Sequence, residues 1–360
     1  MPLSEENNKY QLFDDNLDLF SSMLKDISLA KKTIFLEIYR FGQDSMGEKF
    51  RQALLIRAKE GVKIKILIDA WGSGSDVSFF GSLINEGVSL RVYKKMNFEK
   101  TYFVKNHCRN HRKLLLIDGE IAYIGSSNIT AYSLNWRELN FRIEELGLIK
   151  LFTRSFNDSF RSYNKYSFVN IGYKRDLHFG SWVFIQDIPN SYRQRIKKRY
   201  ENLLESAKKE IIIETPYFLP GHKLRKKLCE AAEKGLTVRI MTPFHSDVRL
   251  VDILRRKYLG ELHLSGVKLC FYDQGNLHAK GLMIDNELFS VSSANFDYRS
   301  FRYQYEIALI GKEKIVVELL KEHFDKTYTN CVNFNYENWQ KRPRVEKFFE
   351  WLLLPIRYLF

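Results

Sequence analysis

The sequence predicts an α/β protein composed of two pseudo-symmetric α/β sandwich halves, and three observations carry that prediction. Apolar strand-like runs alternate with helical patterns through most of the chain, as in β-α-β units. The segment AKKTIFLEIYRF at 30–41 returns as AKKEIIIETPYF at 207–218. Further on, HRKLLLIDGEIAYIGSSN at 111–128 returns as HAKGLMIDNELFSVSSAN at 278–295, with its shared polar residues at the one offset of 167 that separates His111 from His278. A repeat of that length implies two copies of one folding unit.

Each half opens on a basic helix end, followed by an Ile-rich run that reads as a buried strand and closes on an acid and an aromatic. A helical pattern and a second strand follow in RQALLIRAKEGVKIKILID (51–69) and RKKLCEAAEKGLTVRIMTP (225–243), with Gly61 and Gly235 where a helix C-cap glycine belongs. Another helix and strand end at GVSLRVY (87–93) and GVKLCFY (266–272), and the alternation predicts a largely parallel sheet. The halves then differ in length: Tyr93 to His111 spans 18 residues and Tyr272 to His278 spans 6, which leaves a 12-residue insertion, roughly KMNFEKTYFVKN. A basic, aromatic loop there, within 94–106, is expected to overhang the working end. Each repeated polar segment reads as a strand, a two-residue turn at Asp-Gly or Asp-Asn, and a returning strand. The stretch 151–200 links the halves, which are expected at 1–165 and 166–335, with 336–360 outside the repeat.

Composition narrows the partners. At 360 residues, 45% hydrophobic and 14% aromatic, the chain can bury a core and is not disordered. Lys+Arg 57 against Asp+Glu 43 leaves +14, which favours partners bearing phosphate: nucleic acid, an anionic membrane surface or a phosphorylated small substrate. The four cysteines are far apart and form no CxxC pair, so neither a disulfide framework nor a zinc ribbon is expected. His107, Cys108 and His111 lack a fourth ligand cluster, so no metal is expected. No signal peptide and no run of 18 apolar residues is legible.

Within each hairpin, His and Lys are two residues apart, as are Ser and Asn on the returning strand, so each pair is expected on one face. His111, Lys113, Ser126 and Asn128 would then surround one spot, and His278, Lys280, Ser293 and Asn295 another. The set suits a phosphodiester. Imidazole can act as nucleophile or proton carrier near neutral pH. Lys and Asn can hydrogen-bond the non-bridging oxygens, whose charge grows in the transition state. Two hairpins related by a pseudo-two-fold axis place one histidine to attack in line and one to protonate the leaving oxygen. Asp118 and Asp285 fall in the turns, at odd spacing from their histidines, and are expected to support structure rather than touch substrate. One His-x-Lys in a strand is ordinarily a solvated face; two in one frame, each with Ser-x-Asn, are not.

The paired HxKxxxxD followed by Ser and Asn resembles the signature of the phospholipase D superfamily, over about residues 10–330. The resemblance implies a phospholipase D fold in one monomer, an active site between the halves, ping-pong transfer through a phosphohistidine, and neither metal nor cofactor. It implies a catalytic set of His111, Lys113, Asp118, His278, Lys280 and Asp285, with His111 attacking and His278 acting as acid and then base. Ser126, Asn128, Ser293 and Asn295 are implied to bind substrate. An acid a strand beyond each motif is implied to orient the opposite histidine: Glu306, and Glu138, which sits one position nearer its asparagine.

Within the superfamily, WRELNFRI (136–143), TPYFLP (215–220), SDVRLVDILRRKYLGELHLSGVKL (246–269) and SSANFDYRSFRYQYE (292–306) resemble bacterial cardiolipin synthases. The likeness is to their shorter forms, without the paired N-terminal transmembrane helices of the longer ones. It implies a phosphatidyltransferase that joins two phosphatidylglycerols into cardiolipin, peripheral to an anionic membrane, on the cytoplasmic face of a bacterial cell, with no nucleic-acid partner. The alternative is a phosphodiester hydrolase of the same superfamily, phospholipase D or nuclease. From another class, the alternative is a non-catalytic basic membrane- or nucleic-acid-binding protein.

The tail KRPRVEKFFEWLLLPIRYLF (341–360) carries Phe348, Phe349, Trp351, Leu352, Leu353 and Leu354 nearly all around a short helix that Pro355 should interrupt. It is too short to span a bilayer, which needs about 20 apolar residues. With Lys341, Arg342, Arg344, Lys347 and Arg357 beside it, the tail is expected as an interfacial anchor rather than a docked helix, and as removable with little change in thermal unfolding.

Overall fold

The computed structural model describes residues 9–74, 76–93, 107–163, 176–189 and 192–360; the expected loop at 94–106 lies outside them. The first sheet contains β1 (Tyr10–Phe13), β2 (Thr33–Ile38), β3 (Lys63–Asp69), β4 (Ser89–Tyr93), β6 (Leu114–Ile117), β7 (Ile121–Gly125) and β8 (Asn140–Ile143), in the order β1-β8-β7-β6-β2-β3-β4. The second contains β9 (Asp176–Phe179), β10 (Trp182–Asp187), β11 (Glu210–Glu214), β12 (Thr237–Pro243), β13 (Lys268–Tyr272), β14 (Gly281–Ile284), β15 (Leu288–Ser292), β16 (Gln304–Gly311) and β17 (Cys331–Asn333). Its order is β17-β13-β12-β11-β14-β15-β16-β10-β9, so β10-β16-β15-β14-β11-β12-β13 repeats the first sheet strand for strand. The short β5 (Arg109–Asn110) leaves the first half and pairs with β16.

The sheets are mixed, not largely parallel as expected. Among the described strands, parallel pairing joins β2-β3-β4, β11-β12-β13 and β5-β16. Each motif segment closes on itself as a hairpin and lies antiparallel beside β2 or β11, since no crossover helix separates its strands. The turns hold three residues rather than two. Ile117 pairs with Ile121 and Ile284 with Leu288, and the left-handed positions fall on Asp118 (φ 54°), Gly119 (φ 72°), Asp285 (φ 55°) and Asn286 (φ 56°). Gly61 and Gly235 take φ of 85° and 88° just past their helices, where a residue with a Cβ would be strained.

One apolar cluster joins the halves. Leu114, Leu116, Ile124 and Phe141 from the first sheet pack with Met283, Val291, Ile307 and Leu309 from the second. Phe152 and Phe156 of the helix Leu146–Ser162, with Leu320 and Phe324 of the helix Lys314–Thr329, complete the cluster. The outer face of each sheet has its own cluster under helices, around Phe20 and Phe50 in the first half and Leu228 and Leu254 in the second. The polar motifs lie at the C-terminal ends of the parallel strands, where α/β sheets open to ligands.

Candidate active site

His111 and Lys113 stand immediately before β6, and His278 and Lys280 immediately before β14, in the approach to the strand rather than within it as expected. The backbone N–H of His111 donates to Tyr305 O at 3.0 Å, and that of His278 to Arg137 O at 2.7 Å. Tyr305 precedes Glu306 and Arg137 precedes Glu138, so each histidine is stitched to the opposite half beside that half's glutamate. His111 Nδ1 lies 3.0 Å from Glu306 Oε1 and 3.0 Å from Ser293 O. His278 Nδ1 lies 2.9 Å from Glu138 Oε1 and 3.1 Å from its Oε2. Carboxylate and carbonyl oxygens accept, so each Nδ1 carries the proton and each Nε2 keeps its lone pair.

Ser126 and Ser293 hold those glutamates. Ser126 Oγ donates to Glu138 and accepts the Leu139 N–H at 2.9 Å; Ser293 Oγ donates to Glu306 and accepts the Ile307 N–H at 3.0 Å. A hydroxyl has one proton to give, and here each serine spends it on its glutamate. Lys113 Nζ donates to His111 O at 2.7 Å and Lys280 Nζ to His278 O at 2.6 Å, which leaves each ammonium two further donors. Asn128 Oδ1 accepts the Arg40 N–H at 3.2 Å, which fixes the amide, and Asn295 is buried at the equivalent place.

Burial, and after it the Lys113 charge, hold the His111 imidazole well below its ordinary range; burial also lowers His278, although Glu138 pulls the other way. Loss of water pushes Lys113 down to about 7 and Lys280 down to about 8. A histidine that titrates lower when folded takes up its proton first in the unfolded chain. Its contribution to stability is present above about pH 6.5 and is lost as the pH falls toward the folded value. Urea unfolding compared at neutral and mildly acidic pH should show a loss on acidification that is smaller in the double variant His111→Asn/His278→Asn. An equal loss would contradict imidazoles held neutral by burial.

Asp118 and Asp285, expected in the turns as supports of structure, are separated from this cluster. They sit at the far ends of β6 and β14, a whole strand beyond Lys113 and Lys280, or about 16 Å at roughly 3.3 Å per residue. Asp118 accepts the N–H groups of Lys31, Lys32 and Thr33, each at 2.7 Å, and Asp285 those of Lys208, Lys209 and Glu210 at 2.7 to 3.1 Å. Each carboxylate thus ties its hairpin to the start of β2 or β11. Asp118→Asn should lower stability by about 1–3 kcal/mol, the usual cost of stranding such donors, and leave turnover per folded molecule unchanged when the two are measured together.

The comparison with protein families decides kinship: the model described as "Cardiolipin synthase, PLD-like domain" matches residues 23–160 and 200–328. The chain belongs to this family. Cardiolipin synthase of Listeria welshimeri is 34% identical over 358 residues, 96% of this chain and 74% of that protein. Cardiolipin synthase of Clostridium perfringens is 31% identical across 95% of this chain and 75% of its own length. The major cardiolipin synthase ClsA of Bacillus subtilis is 32% identical across 98% and 76%. Among solved structures, phosphatidylserine synthase of Haemophilus influenzae superposes with a TM-score of 0.78 over 98% of this chain and 96% of its own. At 13% identity, that likeness speaks for the two-sheet α/β fold.

Several residues that shape this PLD-like site carried no weight in the sequence. The Tyr39 and His111 rings meet edge to face with centroids 5.0 Å apart, and those of Trp136 and His278 are tilted with centroids 5.3 Å apart. Asn110, just before His111, gives its amide to Glu37 at 2.8 Å and its backbone N–H to Asp69 at 2.8 Å, which ties β5 to the ends of β2 and β3. In the second half, buried Glu214 lies 2.6 Å from His323, and Arg137 bonds His323 O at 2.9 Å. The acids closing the first repeated segment, Glu37 and Glu214, therefore brace the strands that deliver the histidines. Their equivalence in the repeat was the available signal.

Proposed function

We propose that this protein is a phosphatidyltransferase that makes cardiolipin from two phosphatidylglycerols, by ping-pong transfer through a phosphohistidine on His111. The observation that carries the reading is the crossed pairing of His111 with Glu306 and of His278 with Glu138, which leaves two Nε2 lone pairs for one phosphodiester. In the first half-reaction His111 Nε2 bonds to phosphorus, the bond to the headgroup glycerol oxygen breaks, and His278 gives that oxygen a proton. Arrival of the anionic diester favours the protonated form of His278. In the second, the headgroup hydroxyl of another phosphatidylglycerol loses its proton to His278, its oxygen bonds to phosphorus, and the bond to His111 breaks. Lys113, Lys280, Asn128 and Asn295 would hold the non-bridging oxygens as charge builds.

The named cardiolipin synthases aligned across nearly the whole chain support the choice of lipid substrate. One motif from each half, 1–165 and 166–335, makes a monomer sufficient. No helix among the described residues is long and apolar enough to cross a membrane, and we assign the protein to the surface of a bacterial membrane, at its cytoplasmic face, without nucleic acid. Incubation with phosphatidylglycerol in mixed detergent micelles, followed by mass spectrometry, tests the reaction. Cardiolipin and free glycerol in equal amounts are expected. Phosphatidic acid alone would make the protein a hydrolase, and absence of turnover would contradict both.

A further inference from the structure

The helix Arg344–Leu353 is docked with its polar face inward. Val345, Phe348, Phe349 and Leu352 recur at i, i+3, i+4 and i+7, one stripe of a helix, and with Trp351 they are 47–66% exposed. On the opposite face Glu350, 2% exposed, accepts two hydrogen bonds from Arg342 at 2.7 and 2.9 Å, and Glu346 pairs with Arg256. Leu353 and Leu354 reach the apolar cluster of the second half. Pro355 then opens a 3-10 turn, Leu354–Leu359, and the carbonyl of Phe360 accepts the Arg299 N–H at 2.9 Å. A helix held by ion pairs with a large apolar stripe left in water reverses the arrangement of one that completes a core.

Two further features say what covers the stripe. Lys341 and Arg344 flank it, are exposed, and have no ion pair among the described residues. The tail is also continuous with the mouth of the site: Arg299, whose backbone Phe360 holds, stacks 5.6 Å over the half-exposed indole of Trp71 at the end of β3. Phe244, at the end of β12, is likewise exposed.

We propose that the outward stripe of the tail is a docking surface for an anionic lipid bilayer. Val345, Phe348, Phe349, Trp351 and Leu352 enter the headgroup boundary, Lys341 and Arg344 meet lipid phosphate, and the cleft is thereby held toward the film that contains its substrate. The inference rests on the proposed lipid chemistry and alters the expectation for the tail. The segment is docked as well as exposed, so deleting it would remove the Glu350, Leu353 and Phe360 contacts and lower stability along with binding.

The test therefore uses the full chain and the triple variant Phe348→Ser/Trp351→Ser/Leu352→Ser, whose side chains leave the ion-paired face intact. Co-flotation is measured with vesicles of equal parts phosphatidylglycerol and phosphatidylcholine, beside turnover on those vesicles and in mixed micelles. The wild-type protein should float with these vesicles, with Trp351 emission shifted to the blue. The variant should lose vesicle binding and vesicle turnover by at least about tenfold while keeping its melting temperature and its micelle turnover. Unchanged flotation of the folded variant would overturn the proposal. So would sedimentation showing a wild-type dimer that the substitutions dissolve while vesicle binding persists. Absence of micelle turnover in the wild-type protein would strike the proposed reaction alone, since flotation does not depend on it.

Discussion

Replacing either His111 or His278 with asparagine is expected to reduce turnover by at least about 10⁴-fold, and replacing both is expected to cost little more than replacing one. In the proposed reaction the two imidazoles divide one task. His111 must present a bare Nε2 to phosphorus, and its Nδ1 is committed to Glu306 and Ser293 O at 3.0 Å each. His278 must carry a proton to the leaving oxygen and remove one from the incoming hydroxyl, and its Nδ1 is committed to Glu138 at 2.9 Å. Neither side chain can attack and protonate at once, because the reacting oxygens and the nucleophile lie on opposite sides of phosphorus. Circular dichroism and urea unfolding should show both variants folded, as the asparagine amide can still donate to Glu306 or Glu138 in place of Nδ1. Near-normal turnover in either folded variant would sink the division of labour.

The glutamates come next in expected effect. Glu306→Gln and Glu138→Gln keep shape and volume, yet each should reduce turnover by about 10²–10⁴-fold, the scale seen when a histidine loses the carboxylate that sets its tautomer. A glutamine can offer its NH₂ group to Nδ1, which would move the ring proton to Nε2 and blunt the nucleophile. It also removes the negative charge that steadies an imidazolium. The consequences differ between the halves. Glu306→Gln should slow formation of the covalent intermediate. Glu138→Gln should draw the alkaline limb of the pH profile to lower pH, because His278 holds its proton less tightly without the carboxylate. Equal losses with an unmoved pH profile would mean that the glutamates serve only to pack the interface.

Much of this arrangement was legible before any coordinates. The offset between His111 and His278 identified the repeat, and the repeat carried the matched strand order of the two sheets with it. What stayed hidden depends on partners distant in the chain. Which strand His111 would join was set by β5 pairing with β16, and no periodicity within 111–128 reports that. The bond by which Ser126 gives its proton to Glu138, 12 residues on and across a strand, was not legible either. Asp118 was expected in the turn as a support of structure, but that its carboxylate would face the start of β2 was not legible. The tail shows the same limit. An apolar stripe at i, i+3, i+4, i+7 looks identical whether it faces a core or a bilayer, and its outward direction was decided by Arg256 pairing with Glu346 from another helix.

Covalent transfer through His111 can be read most directly with a phosphatidyl ester of p-nitrophenol, a leaving group that needs no acid, added to the His278→Asn variant. The first step should proceed and the second should stall for want of a base. One equivalent of nitrophenolate per enzyme should appear as a burst, and an acid-labile phosphatidyl adduct should map to the peptide containing His111. The His111→Asn variant should give no burst. If neither variant gives a burst and no adduct forms on either histidine, transfer does not pass through a phosphohistidine in this protein.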